Sequence, residues 1–174
     1  MRDLVGHLKM DKLTIALPTN LWDTMDEEIF NLCQTEEWHT FRFLLPNGEL
    51  NSDIELVDNS KGGIYIFYIS PEIIPQRQRI LMYVGRAQIT QYENLRQRIR
   101  SYYTLFHGGD CWKRQRIQDM FNCWEKYLYC SYIELTNNDL IIKTEAELIN
   151  KLLPYCNSAI PDQTIGRAAR AAGL

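Results

Sequence analysis

The chain has 174 residues, of which 45% are hydrophobic and 24% charged, and its formal net charge is -3. That size and balance suit one ordinary globular domain, and they exclude a disordered tail, a collagen-like fibre and a coiled coil. The apolar runs are far too short to span a bilayer, and five cysteines without a CxxC pair fit reduced thiols better than a disulfide framework.

The first residues, MRDLVGHLKMDK, carry charge where a signal peptide needs an apolar stretch, so the expected location is cytoplasmic, with no membrane partner. Residues 12–17 (KLTIAL) read as a short strand or a helical turn, broken by Pro18-Thr19-Asn20. From Leu21 to Cys33, apolar residues recur at 21, 22, 25, 29, 30 and 33 with acids near the start, which predicts a helix. Residues 38–44 alternate like a strand, Pro46-Asn47-Gly48 signals a turn, and 53–57 read as the returning strand. Residues 1–61 are thus expected to form an appendage of helix plus hairpin, a candidate specificity or dimerisation element.

After Gly62-Gly63, the run IYIFYI (64–69) predicts a strand buried on both faces, and 80–84 predict a second strand ending at Gly85. The stretch 70–78, with Pro71 and Pro75, reads as a loop. Leu95, Ile99, Tyr102 and Phe106 mark a helix that Gly108-Gly109 ends, and a second helix is expected over 112–126 with Ile117, Met120, Phe121 and Trp124 on one stripe. Residues 127–135 predict a third strand. Asn137-Asn138-Asp139 can cap a last helix ended by Pro154, and the Ala-rich tail 158–174 is weakly helical. The expected fold is α/β of the α+β kind: a small central three-stranded antiparallel sheet flanked by helices.

Charge is uneven along this order. Residues 1–62 hold five Lys/Arg and twelve Asp/Glu, whereas 77–116 hold nine basic residues against Glu93 and Asp110. Eight of those nine are Arg, whose planar fork matches phosphate oxygens, and tyrosines and other aromatics sit among them. One reading is a local polyanion site. The other is a solvated face that neutralises the acidic N-terminal part, and charge alone does not separate the two.

Two helices carry candidate chemistry. On the 94–106 helix, Leu95, Arg98 and Tyr102 fall on one stripe, so Arg98 and Tyr102 face the same way. On a helix beginning near Asp139, Ile142, Glu145, Ile149 and Leu152 share a face, and a carboxylate among apolar neighbours must be paired or metal-bound. The competing reading makes Thr144 an N-cap with Glu147 as its capping-box partner, which would start the helix late and leave Ile141-Ile142 unexplained.

Gly63-Ile64-Tyr65 on the first long strand and Tyr83-Val84-Gly85 on the second are followed by Arg86-Ala87, by Asn94-Leu95-Arg96-Gln97-Arg98-Ile99, and by Glu145 with Leu148-Ile149, Pro154 and Asn157. In this order and spacing the chain resembles the GIY-YIG nuclease family over residues 62–157, leaving 1–61 and the tail 158–174 outside the likeness. The resemblance implies a metal-dependent endonuclease that hydrolyses phosphodiester bonds in DNA. It implies catalytic roles for Tyr65, Tyr83, Arg98, Tyr102 and Glu145. Glu145 would be the single protein carboxylate on one Mg²⁺, with Mn²⁺ as a substitute. Arg98 would bind the scissile phosphate, Tyr65 would act as general base or position water, and Tyr83 would orient the water or touch the phosphate. A tyrosine titrates near ~10, so Tyr65 would need Arg98 and the metal to lower its pKa. Tyr102 stands where several relatives have His, which leaves open which tyrosine takes the proton. Asn157 would brace the metal carboxylate, and Arg86 would contact phosphate.

Arg96, Arg100, Lys113, Arg114 and Arg116 are further candidates for DNA backbone contacts. Tyr92, Tyr103, Tyr127, Tyr129 and Tyr132 are read as structural, His7, His39 and His107 have no partners at metal spacing, and zinc is not expected. The leading function is a sequence-specific endonuclease of restriction or defence type, working on DNA as a homodimer. Alternatives are a structure-selective or nicking repair-type nuclease, a nuclease toxin held by an immunity partner, RNA as substrate, and a non-catalytic nucleic-acid-binding module.

Overall fold

The computed structural model of the chain describes residues 13–74, 77–108 and 114–174. The first twelve residues, Pro75, Cys111, Trp112 and the candidate phosphate contact Lys113 lie outside them. The chain forms a four-stranded antiparallel sheet and, among the described residues, six α-helices: α1 (Thr19–Trp22), α2 (Glu27–Thr35), β1 (His39–Arg42), β2 (Gly62–Ile69), β3 (Ile80–Ala87), α3 (Leu95–Gly108), α4 (Gln115–Trp124), β4 (Leu128–Leu135), α5 (Asn138–Leu152) and α6 (Gln163–Ala171). The strand order is β1-β4-β2-β3. None of the helices is long and apolar enough to cross a membrane.

The sheet is therefore wider than the three strands expected. β1, read as part of a separate appendage, pairs with β4 in the register Phe41↔Cys130, so the sheet crosses the boundary placed at residue 61. The expected return strand does not form: Ser52–Leu56 is a 3₁₀ helix, begun by Asn51, whose side chain accepts from the Asp53 N–H. Residues 13–18 adopt neither strand nor helix.

The helix expected over 21–33 is split in two. The Asp26 carboxylate accepts from the Ile29 N–H and starts a new helix there, with Glu27 and Glu28 in its first turn. The acids thus mark the start of α2 rather than the start of the whole apolar pattern. Met25, Leu32, Cys33 and Trp38 pack on the α5 side of the sheet.

β2 lies between β4 and β3, and its β-branched and aromatic run is buried along almost its whole length. Tyr65 and Phe67 face the side covered by α3 and α4, where Phe43, Leu95, Ile99, Tyr102, Met120 and Phe121 complete the main core. Ile64, Val84 and Ile133 face the opposite side, against Ile141, Leu148 and Ile149 of α5. β3 runs on to Ala87, two residues beyond the end expected at Gly85, so Arg86 is a strand residue.

α5 begins at Asn138 because the Asn137 side chain accepts from the Asp139 and Leu140 N–H groups. It ends with Leu153 in the left-handed region (φ 44°) ahead of Pro154. Thr144 is buried in mid-helix and caps nothing, and Glu147 accepts instead from the Asp26 N–H of α2 at 2.9 Å. The buried stripe is Ile141, Thr144, Leu148 and Ile149; Ile142 and Leu152, expected to share it, are exposed. Cys33, Cys123, Cys130 and Cys156 are all free thiols.

Candidate active site

β3 is an edge strand, and the candidate site wraps around that edge. Alternation along the strand sends Tyr83 to the α3 side and Arg86 to the α5 side. Arg98 reaches the edge from α3 and Glu145 from α5. Together with Gln88, Glu93 and Arg114 they line one polar hollow of about 290 Å³. Four residues from three elements thus converge: Tyr83 and Arg86 of β3, Arg98 of α3 and Glu145 of α5.

The glycines of the two tripeptides have steric reasons. Gly63 sits at φ 153°, and a Cβ there would overlap the Ile133 carbonyl oxygen of β4. A Cβ on Gly85 would collide with the hydroxyl end of Tyr65 and come within 2.7 Å of the Tyr83 ring. Gly85 stands opposite Tyr65 in the β2–β3 register, so its bare backbone makes the room in which the Tyr65 ring lies.

Tyr65, Tyr83 and Tyr102 form a cluster, with ring centroids 5.8 to 6.2 Å apart. The Tyr65 and Tyr102 hydroxyls share a 2.8 Å hydrogen bond, and Arg98 Nε donates to the Tyr65 hydroxyl at 3.3 Å. Arg98 also lies over the Tyr102 ring and faces Glu93 Oε1 at 3.5 Å. The stripe read from the sequence, with Arg98 and Tyr102 facing the same way, is what permits this arrangement.

Without a metal, the surroundings of Tyr65 raise its pKa. Tyr65 is fully buried, and burial pushes its phenol well above the ordinary value, with the Tyr102 and Tyr83 neighbours adding to the rise. Arg98 pulls the other way and does not win. Burial likewise raises Tyr102. Tyr65 accepts from Arg98 and is joined to Tyr102, whereas the tyrosine that lines the hollow itself is Tyr83.

Glu145 keeps 15% of its side chain exposed and is paired with Arg86, which is 36% exposed. Burial raises its pKa above the usual carboxylate value, while the charge and hydrogen bond of Arg86 oppose the rise. Among the described residues there is no cluster of three His, Cys, Asp or Glu side chains that could hold a metal ion. A single hard oxygen donor in a polar, solvent-connected hollow is nonetheless compatible with Mg²⁺, which keeps most of its ligands as water and substrate oxygens. Glu145 would hold it, and Glu93 is the other carboxylate that lines the hollow.

Several expected contacts lie elsewhere. Asn157 does not brace Glu145: its side-chain amide accepts from the Val84 N–H at 2.9 Å and donates to the Val84 carbonyl at 2.8 Å. With Cys156 N–H donating to the Met82 carbonyl at 2.7 Å, the 156–157 segment covers the edge of β3 between Met82 and Val84. Asn157 therefore positions the strand that carries Tyr83 and Arg86.

Arg96 and Arg100 pair with Glu55, and Arg96 also donates to the Glu55 and Val57 carbonyls. They tie α3 to the 3₁₀ helix and do not line the hollow. For these two, the neutralising reading of the basic stretch holds. Arg114 does line it, and Arg116 lies on the adjoining hollow with Glu145 and Tyr83.

Glu93 and Gln88 on the hollow were missed by sequence reasoning. The signal was their position between strand β3 and the α3 start, a stretch that must pass the strand's edge. Cys156 also borders the adjoining hollow, but burial pushes its thiol up to about 12, so it is no nucleophile.

No protein-family profile, curated protein or solved structure matches the chain.

Proposed function

We propose that this chain is a metal-dependent DNA endonuclease of the GIY-YIG kind. One observation carries the reading: Tyr83, Arg86, Arg98 and Glu145, chosen from the sequence by motif, line a single polar hollow at the edge of β3. The combination of guanidinium forks, a phenol and a partly buried carboxylate suits a phosphodiester, whose hydrolysis needs positive charge on the non-bridging oxygens and a positioned water.

In this reading Arg98 takes the scissile phosphate. Its Nε is held by the neutral Tyr65 hydroxyl, which leaves the outer nitrogens of the fork for the phosphate oxygens. Tyr102 fixes Tyr65 in turn, so the two buried phenols orient the cation rather than exchange protons with substrate. Tyr83 provides the hydroxyl on the wall of the hollow and positions the attacking water. Arg86 neutralises Glu145 in the free chain and supplies a second cation to an arriving phosphate. Glu145 would hold Mg²⁺, which when bound would supply Lewis-acid stabilisation of the developing negative charge.

A cytoplasmic, sequence-specific enzyme of restriction or defence type, paired as a homodimer to cut both strands, is the subtype we favour. The test is incubation of wild type and Glu145→Ala with supercoiled plasmid and phage DNA, in Mg²⁺ or EDTA. Discrete fragments that need both Mg²⁺ and Glu145 support it. Nicking or a smear points to a structure-selective or nonspecific nuclease. DNA binding with no cutting under any condition replaces it with a non-catalytic binding module.

A further inference from the structure

The hollow around Glu145 does not end at Arg114. A second, of about 470 Å³, shares Tyr83, Arg114 and Glu145 with it and continues to Arg116, Asn157 and Ser158. A third, of about 440 Å³, shares Arg116, Asn157 and Ser158 with the second and runs past Tyr155 to Arg170 on α6. Each shares three lining residues with the next, so the three hollows lie side by side from β3 to the tail helix.

Arginines with and without a carboxylate partner both border these hollows. Arg86, Arg96, Arg98 and Arg100 each face a carboxylate. Among the described residues, Arg114, Arg116 and Arg170, which border these hollows, make no ion pair, and neither do Arg42, Arg77, Arg79 and Arg167, which do not border them. Arg116 is nevertheless held in place, donating to the Tyr155 carbonyl at 3.0 Å and lying 5.3 Å over the Tyr155 ring. On α6, Gly166 presents no side chain to the third hollow, and the Arg170 guanidinium lies 3.5 Å from where its Cβ would be. Adjoining hollows bordered by guanidinium groups without a carboxylate partner suit a phosphodiester backbone.

We infer that this row of hollows is a DNA backbone track: the strand leaving the Glu145 cleft passes Arg116 and Tyr155 and is anchored at a phosphate by Arg170. The inference rests on the nuclease reading for where the strand starts, but the track itself is read by binding alone. It gives the tail 158–174 a role that its Ala-rich sequence did not suggest.

The test measures the affinity of the whole chain for a labelled DNA duplex against KCl concentration in EDTA, where nothing is cut. Arg170→Gln removes one phosphate contact, so the slope of log K against log salt becomes shallower by about 0.9. By the same relation, binding weakens about eightfold at 0.1 M salt. Arg116→Gln gives a similar drop. Arg170→Lys retains the wild-type slope, which separates lost charge from a damaged helix. Arg167→Gln, on the same helix but off these hollows, leaves it unchanged.

A wild-type slope in Arg170→Gln, an equal loss in Arg167→Gln, or no DNA binding at all overturns the track. A plasmid assay in Mg²⁺ run in parallel keeps the two readings apart. Cutting with an unaltered Arg170→Gln slope overturns the track and leaves the nuclease. No cutting with a shallower Arg170→Gln slope supports the track and overturns the nuclease.

Discussion

Replacing Tyr65 with Phe removes a hydroxyl that serves two partners at once. The Tyr102 hydroxyl loses its 2.8 Å partner in a fully buried place, and Arg98 Nε loses the oxygen to which it donates at 3.3 Å. A buried polar group left without a partner costs about 1–3 kcal/mol, against about 0.5–1.5 for an ordinary net hydrogen bond. Tyr65→Phe strands the buried Tyr102 hydroxyl and removes one of the two oxygens facing the partly exposed Arg98 Nε, and should cost about 2 kcal/mol. Tyr102→Phe strands none outright, because Tyr65 keeps Arg98, so about 1 kcal/mol is expected. The double variant replaces both phenols by rings of the same shape and leaves only the partly exposed Arg98 Nε to find water. It should therefore be little worse than Tyr65→Phe alone, giving a coupling of about 1 kcal/mol between the two substitutions. Urea unfolding of the four proteins, with thermal melts alongside, provides the cycle. For a chain of this length, 2 kcal/mol corresponds to about 4–8 °C in Tm. Strict additivity would refute the reasoning, since it would mean that the two hydroxyls do not satisfy each other.

Gly85→Ala places a Cβ against the Tyr65 hydroxyl and the Tyr83 ring, and it should destabilise by about 1–3 kcal/mol, readable as a lower urea midpoint at unchanged m. Arg98→Lys keeps the charge but loses the fork and the Tyr65 contact, so DNA cleavage should fall by about 10²–10³ while folding is spared; full activity would remove Arg98 from the phosphate. Cleavage should be lost on acidification through a pKa above the ordinary 4.5, because Glu145 must be ionised to hold a cation and burial favours its protonated form. Arg86→Gln should move that limb to still higher pH, since Arg86 opposes the rise, and a downward shift in the rate profile would contradict the Arg86–Glu145 pairing. For folding, the raised pKa gives a contribution that is present below pH 4.5 and is lost as pH rises through the folded-state value, so Glu145→Gln should flatten the stability profile over that window.

Local patterns carried much of the core. The IYIFYI run could only be a strand buried on both faces, and the Ile117, Met120, Phe121 stripe could only face the core. Asn137 announced the start of α5, because a short amide side chain ahead of an apolar pattern satisfies the first free N–H groups. Tyr65, Tyr83, Arg98 and Glu145 were legible as candidates from their spacing within a motif. These features depend on neighbours within a turn or two, so the linear order contains them.

What depended on pairing across long separations was not legible. Joining β1 to β4 brings together residues about ninety positions apart, and nothing near Phe41 specifies Cys130 as its partner. The helix over 21–33 was broken because Asp26 capped a second start, a choice reinforced by Glu147 on a distant helix accepting from the Asp26 N–H. Arg96 and Arg100, candidates for phosphate contact, stand beside Glu55, whereas Arg170 of the tail borders a hollow shared with Arg116. An arginine is alike in any sequence; whether a carboxylate stands within reach of it is a property of the fold. The same holds for Tyr65, whose complete burial and contact with Arg98 are set by the helix packed over it. The sequence by itself determined which residue types were present and which local elements they form. The tertiary structure alone decided which charges are compensated and which face solvent, because both depend on what the chain folds against them.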